Sequence, residues 1–428
     1  MAIHVVKSGE SLWSISTLYG IPISSILQVN GLLSPDLLMP GLALYIPDHS
    51  LSIRYYQISA GDTLWKLANL YHTSIASIIS ANPGINPNRL SIGQRLNIPS
   101  PDKLRLSSLG FIVPVSLEAS LAVFESVADE LTYLAVVAFS LTEEGYAYVL
   151  LNDLELVSRS RQHNVTPLLM IRNFFNGEFS PELIGNVLEN PTYRNNLVRS
   201  LVNLARSRGY GGVSVDFEFI PPQRRNEFTL FLTDLKKELN DLILHVNVHA
   251  KSEDMPTNRI VGAYDYRAIG KAADIVAVMT IDYGYPTGPP DPIAPINWVE
   301  EVIRYAVTQI NPRKLQMAIA LYGYDKIVNT TITTALSVQG AKQQALTLGV
   351  EILYDETAQA PWYRYYRMTE EHIVWFEDIR SFTEKYKLID LYQLLGPTFW
   401  HIGLPAPQNW AYMRDHLQVQ KPNIAQTF

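Results

Sequence analysis

Laying the chain over itself with an offset of 52 residues superimposes Gly9 on Gly61, Leu12-Trp13 on Leu64-Trp65, Tyr19 on Tyr71, Ile23 on Ile75, Asn30 on Asn82, Gly41 on Gly93 and Ile46-Pro47 on Ile98-Pro99. One offset held from Gly9 to Pro47 fixes the start of the chain as two copies of a small unit, residues 2–47 and 54–99. Each copy reads as a short strand (4–7; 56–59), a Ser-Gly-Glu or Ala-Gly-Asp turn, and a helix opened by Ser11 or Thr63. Apolar positions such as Leu12, Ile15 and Tyr19 follow at helical spacing, then a second helix around 23–30 and a strand ending in Ile-Pro. A βααβ unit this small has room for a modest core and holds no paired acid cluster. It should bind rather than catalyse, with Trp13 and Trp65 packing its core.

The segment Pro99-Ser100-Pro101-Asp102 ends the repeats, because two alternate prolines cannot continue a helix or a central strand. From 103 to 428, apolar runs of strand length recur at 111–115, 134–139, 167–172, 212–218, 243–249, 275–282, 315–321 and 398–402. Amphipathic stretches fill most intervals, as at 226–240, where Phe228, Phe231, Leu232, Leu235 and Leu239 share one face. Strands alternating with helices in this way predict a (β/α)8 TIM barrel. The interval from 321 to 398 is too long for one crossover and carries aromatic strands at 362–367 and 372–376. It predicts an α+β insertion after strand 7, about 323–390.

Composition narrows the function. Hydrophobic residues at 47% and charged residues at 18% give ample core. A formal charge of -7 provides no reason to bind nucleic acid or anionic lipid. The chain has no cysteine, which excludes disulfides and thiolate chemistry. No run approaches the roughly 18 apolar residues of a membrane span, and the opening residues lack a basic segment followed by an apolar one, so the chain is expected to be made in a cytoplasm without a signal peptide. No phosphate-cradling glycine loop, Gly-x-Ser-x-Gly elbow or HExxH occurs, so neither a cofactor nor a metal is expected. His245, Asn247 and His249 share a strand face and read as interior hydrogen-bonding groups. The 24 tyrosines against 14 phenylalanines suit either an amphipathic ligand groove or buried, hydrogen-bonded rings.

In such a barrel, chemistry gathers at the carboxyl ends of the strands. The fourth strand, Gly211-Gly212-Val213-Ser214-Val215-Asp216-Phe217-Glu218, alternates. Its valines and Phe217 face the helices, so Ser214, Asp216 and Glu218 face the barrel mouth. Two inward carboxylates two residues apart raise each other's proton affinity, which can keep one protonated as a general acid. On strand parity alone, an ion pair with an unseen Arg or Lys stays open.

Two families share these patterns. The repeats resemble the LysM module in Gly9-Glu10-Ser11-Leu12-Trp13 with Asn30 and 41–47, and in Gly61-Asp62-Thr63-Leu64-Trp65 with Asn82 and 93–99. That resemblance implies binding of peptidoglycan or chitin-like N-acetylglucosamine glycans. The groove lies where the loop after the first strand meets the loop after the second helix, through Gly9, Glu10, Ser11, Asn30, Gly61, Asp62, Thr63 and Asn82. The fourth strand resembles the Asp-Gly-x-Asp-x-Asp-x-Glu of the family 18 glycoside hydrolases. There the Glu, here Glu218, protonates the leaving oxygen. The Asp, here Asp216, orients the substrate's acetamide, whose oxygen attacks the anomeric carbon, an exception to the two-carboxylate rule.

The same resemblance places Met279, Asp282, Tyr283, Tyr322 and Trp400 around the substrate. Three positions depart from it: Gly211 and Ser214 replace acids, and Ile281 stands where the family has a tyrosine. The whole arrangement, with Tyr322-Gly323-Tyr324-Asp325 and Leu404-Pro405-Ala406-Pro407, is similar to the spore cortex-lytic N-acetylglucosaminidases. It implies a spore protein, deposited from the mother cell, that trims cortex glycan fragments during germination. The rival expectation is a wall-binding protein whose barrel holds glycan with little turnover.

Overall fold

A computed structural model of the chain describes residues 2–48 and 50–422. The first repeat contains strand Ala2–Val5, helices Leu12–Tyr19 and Ile23–Asn30, and strand Ala43–Ile46. The second contains Ser52–Gln57, Leu64–Leu70, Ile75–Ala81 and Arg95–Ser100. In each, the outer strands pair antiparallel. Ser11 and Thr63 are N-caps whose hydroxyls accept from the amides of Ser14 and Lys66, satisfying donors the first helical turn would otherwise leave free.

Asn30 is buried; its amide donates to the carbonyls of Ile26 and Tyr45 at 2.8 Å, while its oxygen accepts from Tyr45 N at 2.7 Å. Asn82 makes the same clip to Ile78 and Asn97. Glycan contact by Asn30 is therefore corrected: buried, it spends its hydrogen-bonding capacity tying the second helix to the last strand and to Gln408, whereas Asn82 is only half-buried. Trp13 and Trp65 are corrected in the other direction. At 70% and 67% exposed, they lie outside the small cores, one residue past the inward Leu12 and Leu64 and so about 100° around the helix.

The repeats are docked on the rest of the chain by different chemistry. Val6, Leu12, Ile15, Ile26, Leu42 and Leu44 form one continuous core with Ala341, Ala345, Leu346, Ile352, Tyr363 and Phe376. Gln408 donates to Asn30 Oδ1 and to the Ala43 carbonyl, each at 2.8 Å, and Tyr45 donates to Asp415 at 2.5 Å. The second repeat keeps its own core. It is held by polar contacts: Arg54 forks onto Asp390 at 2.9 and 2.8 Å, Tyr55 N donates to the same carboxylate at 2.7 Å, and Arg95 pairs with Glu300.

Beyond the repeats lie β1 (Leu109–Ile112), β2 (Tyr133–Leu141), β3 (Thr166–Arg172), β4 (Gly212–Asp216), β5 (Ile243–His249), β6 (Ile275–Met279), β7 (Leu315–Ala320) and β8 (Gly396–Trp400). Parallel pairing runs in the order β1-β8-β7-β6-β5-β4-β3-β2, and β1 pairs with β2, closing a barrel. Outward residues such as Val213, Val215 and Phe217 of β4 and the following turn pack with helix residues Phe228, Phe231, Leu232 and Leu235. The interior is divided. Around β1–β3 it is apolar, with Phe111, Ala135, Val137, Leu168 and Met170. Around β4, β5, β7 and β8 it carries the buried polar side chains Ser214, His245, Asn247, Gln316 and Thr398.

The insertion is a five-stranded antiparallel sheet, in the order Thr333–Ser337, Tyr322–Ile327, Glu370–Trp375, Ala360–Arg367, Leu353–Asp355, with helix Val338–Leu348 against it. Its expected end near 390 is corrected. Helix Ile379–Leu391 packs Ile379, Phe382, Tyr386 and Ile389 on the barrel core, so the sheet ends at Trp375. The barrel region assigned to 103–428 includes residues 423–428, which lie outside the described residues. Among the described residues, no single helix is long and apolar enough to cross a membrane.

Candidate active site

The alternation of β4 sends Ser214 and Asp216 inward. Ser214 Oγ lies 2.9 Å from His245 Nδ1 on the neighbouring strand. Asp216, also buried, has Arg172 as its register partner on β3. Burial and the Glu218 charge push Asp216 up to about 8, with Arg172 and the Asn247 amide drawing it back. His245 is held neutral by burial, its pKa pushed down to about 3. The interior face behind Asp216 is thus uncharged near neutral pH, where the family pattern has a further acid.

Glu218 follows the end of β4, half-buried, and its backbone is clamped from two sides. Asn173 accepts from Glu218 N and donates to its carbonyl, both at 2.9 Å, and Tyr264 donates to the carbonyl of Phe217 at 2.7 Å. The next residue, Phe219, has φ +55°, a left-handed conformation costing a bulky residue about 1–3 kcal/mol. The clamp holds that turn and aims the carboxylate. His249 Nε2, at the end of β5, stands 3.3 Å from Glu218 Oε2, and its ring lies 5.4 Å from that of Phe219 and 5.5 Å from that of Tyr264. Among the described residues no Arg or Lys forms an ion pair with Asp216 or Glu218. Arg172 stacks on Phe174 instead, 4.6 Å from the ring centroid.

A second polar cluster faces them. Asp282, at φ +57° just past β6, accepts from the hydroxyls of Tyr322 at 2.7 Å and Tyr324 at 2.9 Å. Burial raises its pKa, and the two hydroxyls lower it. Ile281 packs beside Ile293, Tyr322, Tyr324, Trp400 and Leu404. Trp400, at the end of β8 and partly exposed, tilts on Phe111 with ring centroids 5.4 Å apart. Met279 is the register neighbour of His249. Tyr283, on the loop past β6, is 45% exposed, with its ring 5.4 Å from that of Trp298.

The structure therefore gathers Asp216, Glu218, Asp282, Tyr322, Met279 and Trp400 at the C-terminal end of the barrel. Gly9, Glu10, Ser11, Gly61, Asp62 and Thr63 sit apart, on the repeats, where Glu10 accepts from Lys7 N and Asp62 from Ser59 N at 2.7 Å each. His249, Arg172, Asn173, Tyr264 and Tyr324 were not among the site residues read from the sequence. His249 alone left a signal, as the next inward position of a strand already carrying His245 and Asn247.

The loop after β6 closes one side. Lys326 Nζ, buried, donates to the carbonyls of Tyr285 at 2.5 Å, Gly288 at 3.2 Å and Pro289 at 2.8 Å, and Trp375 Nε1 donates to Pro290 O at 2.7 Å. Lys326→Met strands those carbonyls, which is expected to cost about 1–3 kcal/mol. A lowered melting temperature and faster amide exchange at 283–291 check it; unchanged exchange there would refute the role of the clasp.

The family pattern described as Glycosyl hydrolases family 18 matches residues 141–404, and the LysM domain pattern matches 4–47 and 56–99. The chain is 34% identical to the putative sporulation-specific glycosylase YdhD of Bacillus subtilis, over 98% of this chain and 100% of that one. It is 31% identical to the cortical fragment-lytic enzyme of Bacillus anthracis, over 98% and 99%. The crystal structure of the Bacillus cereus spore cortex-lytic enzyme SleL superimposes with a TM-score of 0.85 at 31% identity, covering 98% of each chain.

Proposed function

The chain belongs to the glycosyl hydrolases of family 18, and from that premise we propose that it is a retaining, substrate-assisted β-N-acetylglucosaminidase acting on peptidoglycan fragments of the spore cortex. The observation that supports this reading best is the buried Asp216 beside the half-buried Glu218 at the end of β4, one holding a proton near neutral pH. An acetamide N–H donated to Asp216 favours its carboxylate form, since a hydrogen bond to the charged form lowers proton affinity. The shared proton then passes to Glu218, which delivers it to the leaving oxygen. The acetamide oxygen attacks the anomeric carbon to give an oxazolinium ion. Glu218, now a base, takes a proton from the water that opens the ring, and two inversions leave the configuration retained. Arg172 limits the charge that the two carboxylates impose on each other.

Spore location follows the same relatives, whose names place them in sporulation and the cortex. The departure at Ile281 favours slow turnover, because the hydroxyls of the Tyr322 and Tyr324 cluster it packs against are engaged with Asp282. The test is chemical. Cortex fragments should release a first-formed β-anomer by NMR, and the same fragments after de-N-acetylation should not be cleaved. Cleavage of de-N-acetylated glycan at an equal rate would exclude the substrate's own acetamide as nucleophile.

A further inference from the structure

Between the second repeat and the barrel lies a cleft of 960 Å³, at the upper end of the roughly 300–1,000 Å³ usual for ligand sites. One wall is Ile58, Ser59 and Ala60 with Ile92 and Gly93. These belong to the loop after the module's first strand and the loop after its second helix, the two loops between which a LysM groove lies. The opposite wall brings Lys103, Arg105 and Arg313 from the barrel region, with Gln393 and Gln418.

Asp102 lies against the His72 ring, which is charged only when protonated, so it offsets at most one positive charge, while Asp390 is already paired with Arg54. The three barrel cations are not: Lys103 donates to the Arg414 carbonyl and Arg105 to Gln418 Oε1, and among the described residues none of the three meets a carboxylate. Uncompensated positive charge here contrasts with the -7 of the whole chain.

The first repeat shows that this opening is not automatic. Its corresponding rim, Pro40 and Gly41, is covered: Ile352 N donates to Pro40 O at 3.1 Å, and Gly41, at φ +81°, lies so close to the Ile352 carbonyl that a Cβ would clash. At the positions 52 residues later, Ile92 is 74% exposed and a Cβ on Gly93 would meet only the Gln57 side chain. One rim is used for docking, and its duplicate opens on a cationic cleft.

A neutral N-acetylglucosamine chain has no use for that charge, whereas the peptides on a peptidoglycan strand end in carboxylates. The geometry points to a composite site in which the second repeat holds the glycan and Lys103, Arg105 and Arg313 hold carboxylates of its attached peptide. This inference rests on the peptidoglycan reading above. The test uses the full chain in a Glu218→Gln background, so that ligand survives, with and without Arg105→Glu and Arg313→Glu. The probes are soluble peptidoglycan oligomers carrying peptides and the same oligomers stripped of them by an amidase.

The parent should bind peptide-bearing glycan about three- to tenfold more tightly at low salt. That advantage should shrink as salt rises and vanish in the double variant, with binding of stripped glycan and the melting temperature unchanged. A preference that survives in the double variant, or is absent from the parent while stripped glycan still binds, overturns the composite site alone. Failure of the parent to bind either oligomer overturns the peptidoglycan reading and the composite site together.

Discussion

Replacing Glu218 with Gln is expected to lower kcat for release of reducing ends from cortex fragments by about 10²–10⁴-fold, the range a positioned general acid contributes. The substitution keeps the shape of the side chain, and the backbone clamp from Asn173 and Tyr264 holds main-chain atoms only. The melting temperature should therefore stay put while turnover collapses. An aryl glycoside whose leaving group needs little protonation should lose less in its first step than the natural glycan does. Equal release by Glu218→Gln and the parent would remove the acid from the mechanism. A collapse accompanied by unfolding would be settled by Glu218→Asp, which keeps an acid while shortening its reach.

The second large effect is a trade between stability and activity at Asp216. Its folded pKa lies near 8 against an ordinary 3.8. Between about pH 4 and pH 8 the native state therefore holds a proton that the unfolded chain has released. Stability falls as pH rises wherever the native state binds more protons, so this carboxylate weakens the fold progressively across that window. Asp216→Asn removes the titration. Relative to the parent, its melting temperature should climb from pH 4 to pH 8 by roughly ten degrees or more, since a displacement of this size is worth roughly 5–6 kcal/mol at about 2–4 °C per kcal/mol for mid-sized domains, and then level off. Activity should fall about 10²-fold or more, as when a preorganised hydrogen-bonding group is removed from a reacting centre. In the parent, kcat/KM, which reports the free enzyme, should decline as pH rises through about 8 and the shared proton is lost. A melting-temperature difference flat with pH would show that Asp216 carries no displaced proton.

The parts of this site legible in the sequence are those carried by local periodicity. Strand parity sufficed to place Ser214 and Asp216 inward, because alternation along one strand needs no knowledge of its neighbours; Glu218, past the strand's end, is held by the Asn173 clamp. His249, Arg172 and Asn173 reach Glu218 or Asp216 only through the register of β3, β4 and β5, and no spacing within the chain encodes that register. Tyr283 could not be aimed from the sequence for a related reason: it lies past the end of β6, behind the left-handed Asp282, where parity lapses. Helix Ile379–Leu391 was legible from its own apolar spacing but was masked by the aromatic strands before it. Trp13 and Trp65 were legible too, being off the face marked by Leu12, Ile15 and Tyr19.

The core that runs without a break from the first repeat into the inserted sheet turns the molecule into a caliper. A module on a flexible linker explores a sphere of positions and raises local concentration without choosing a direction. Here the first repeat is built into that frame, and the second, whose open rim is the gripping jaw proposed above, is held to the barrel by Arg54 on Asp390 and Arg95 on Glu300, so on that reading a strand held there meets the barrel at a set distance and angle. On that reading, which bond along the strand is cut becomes a matter of gauge, decided where the strand is held as much as where it is hydrolysed.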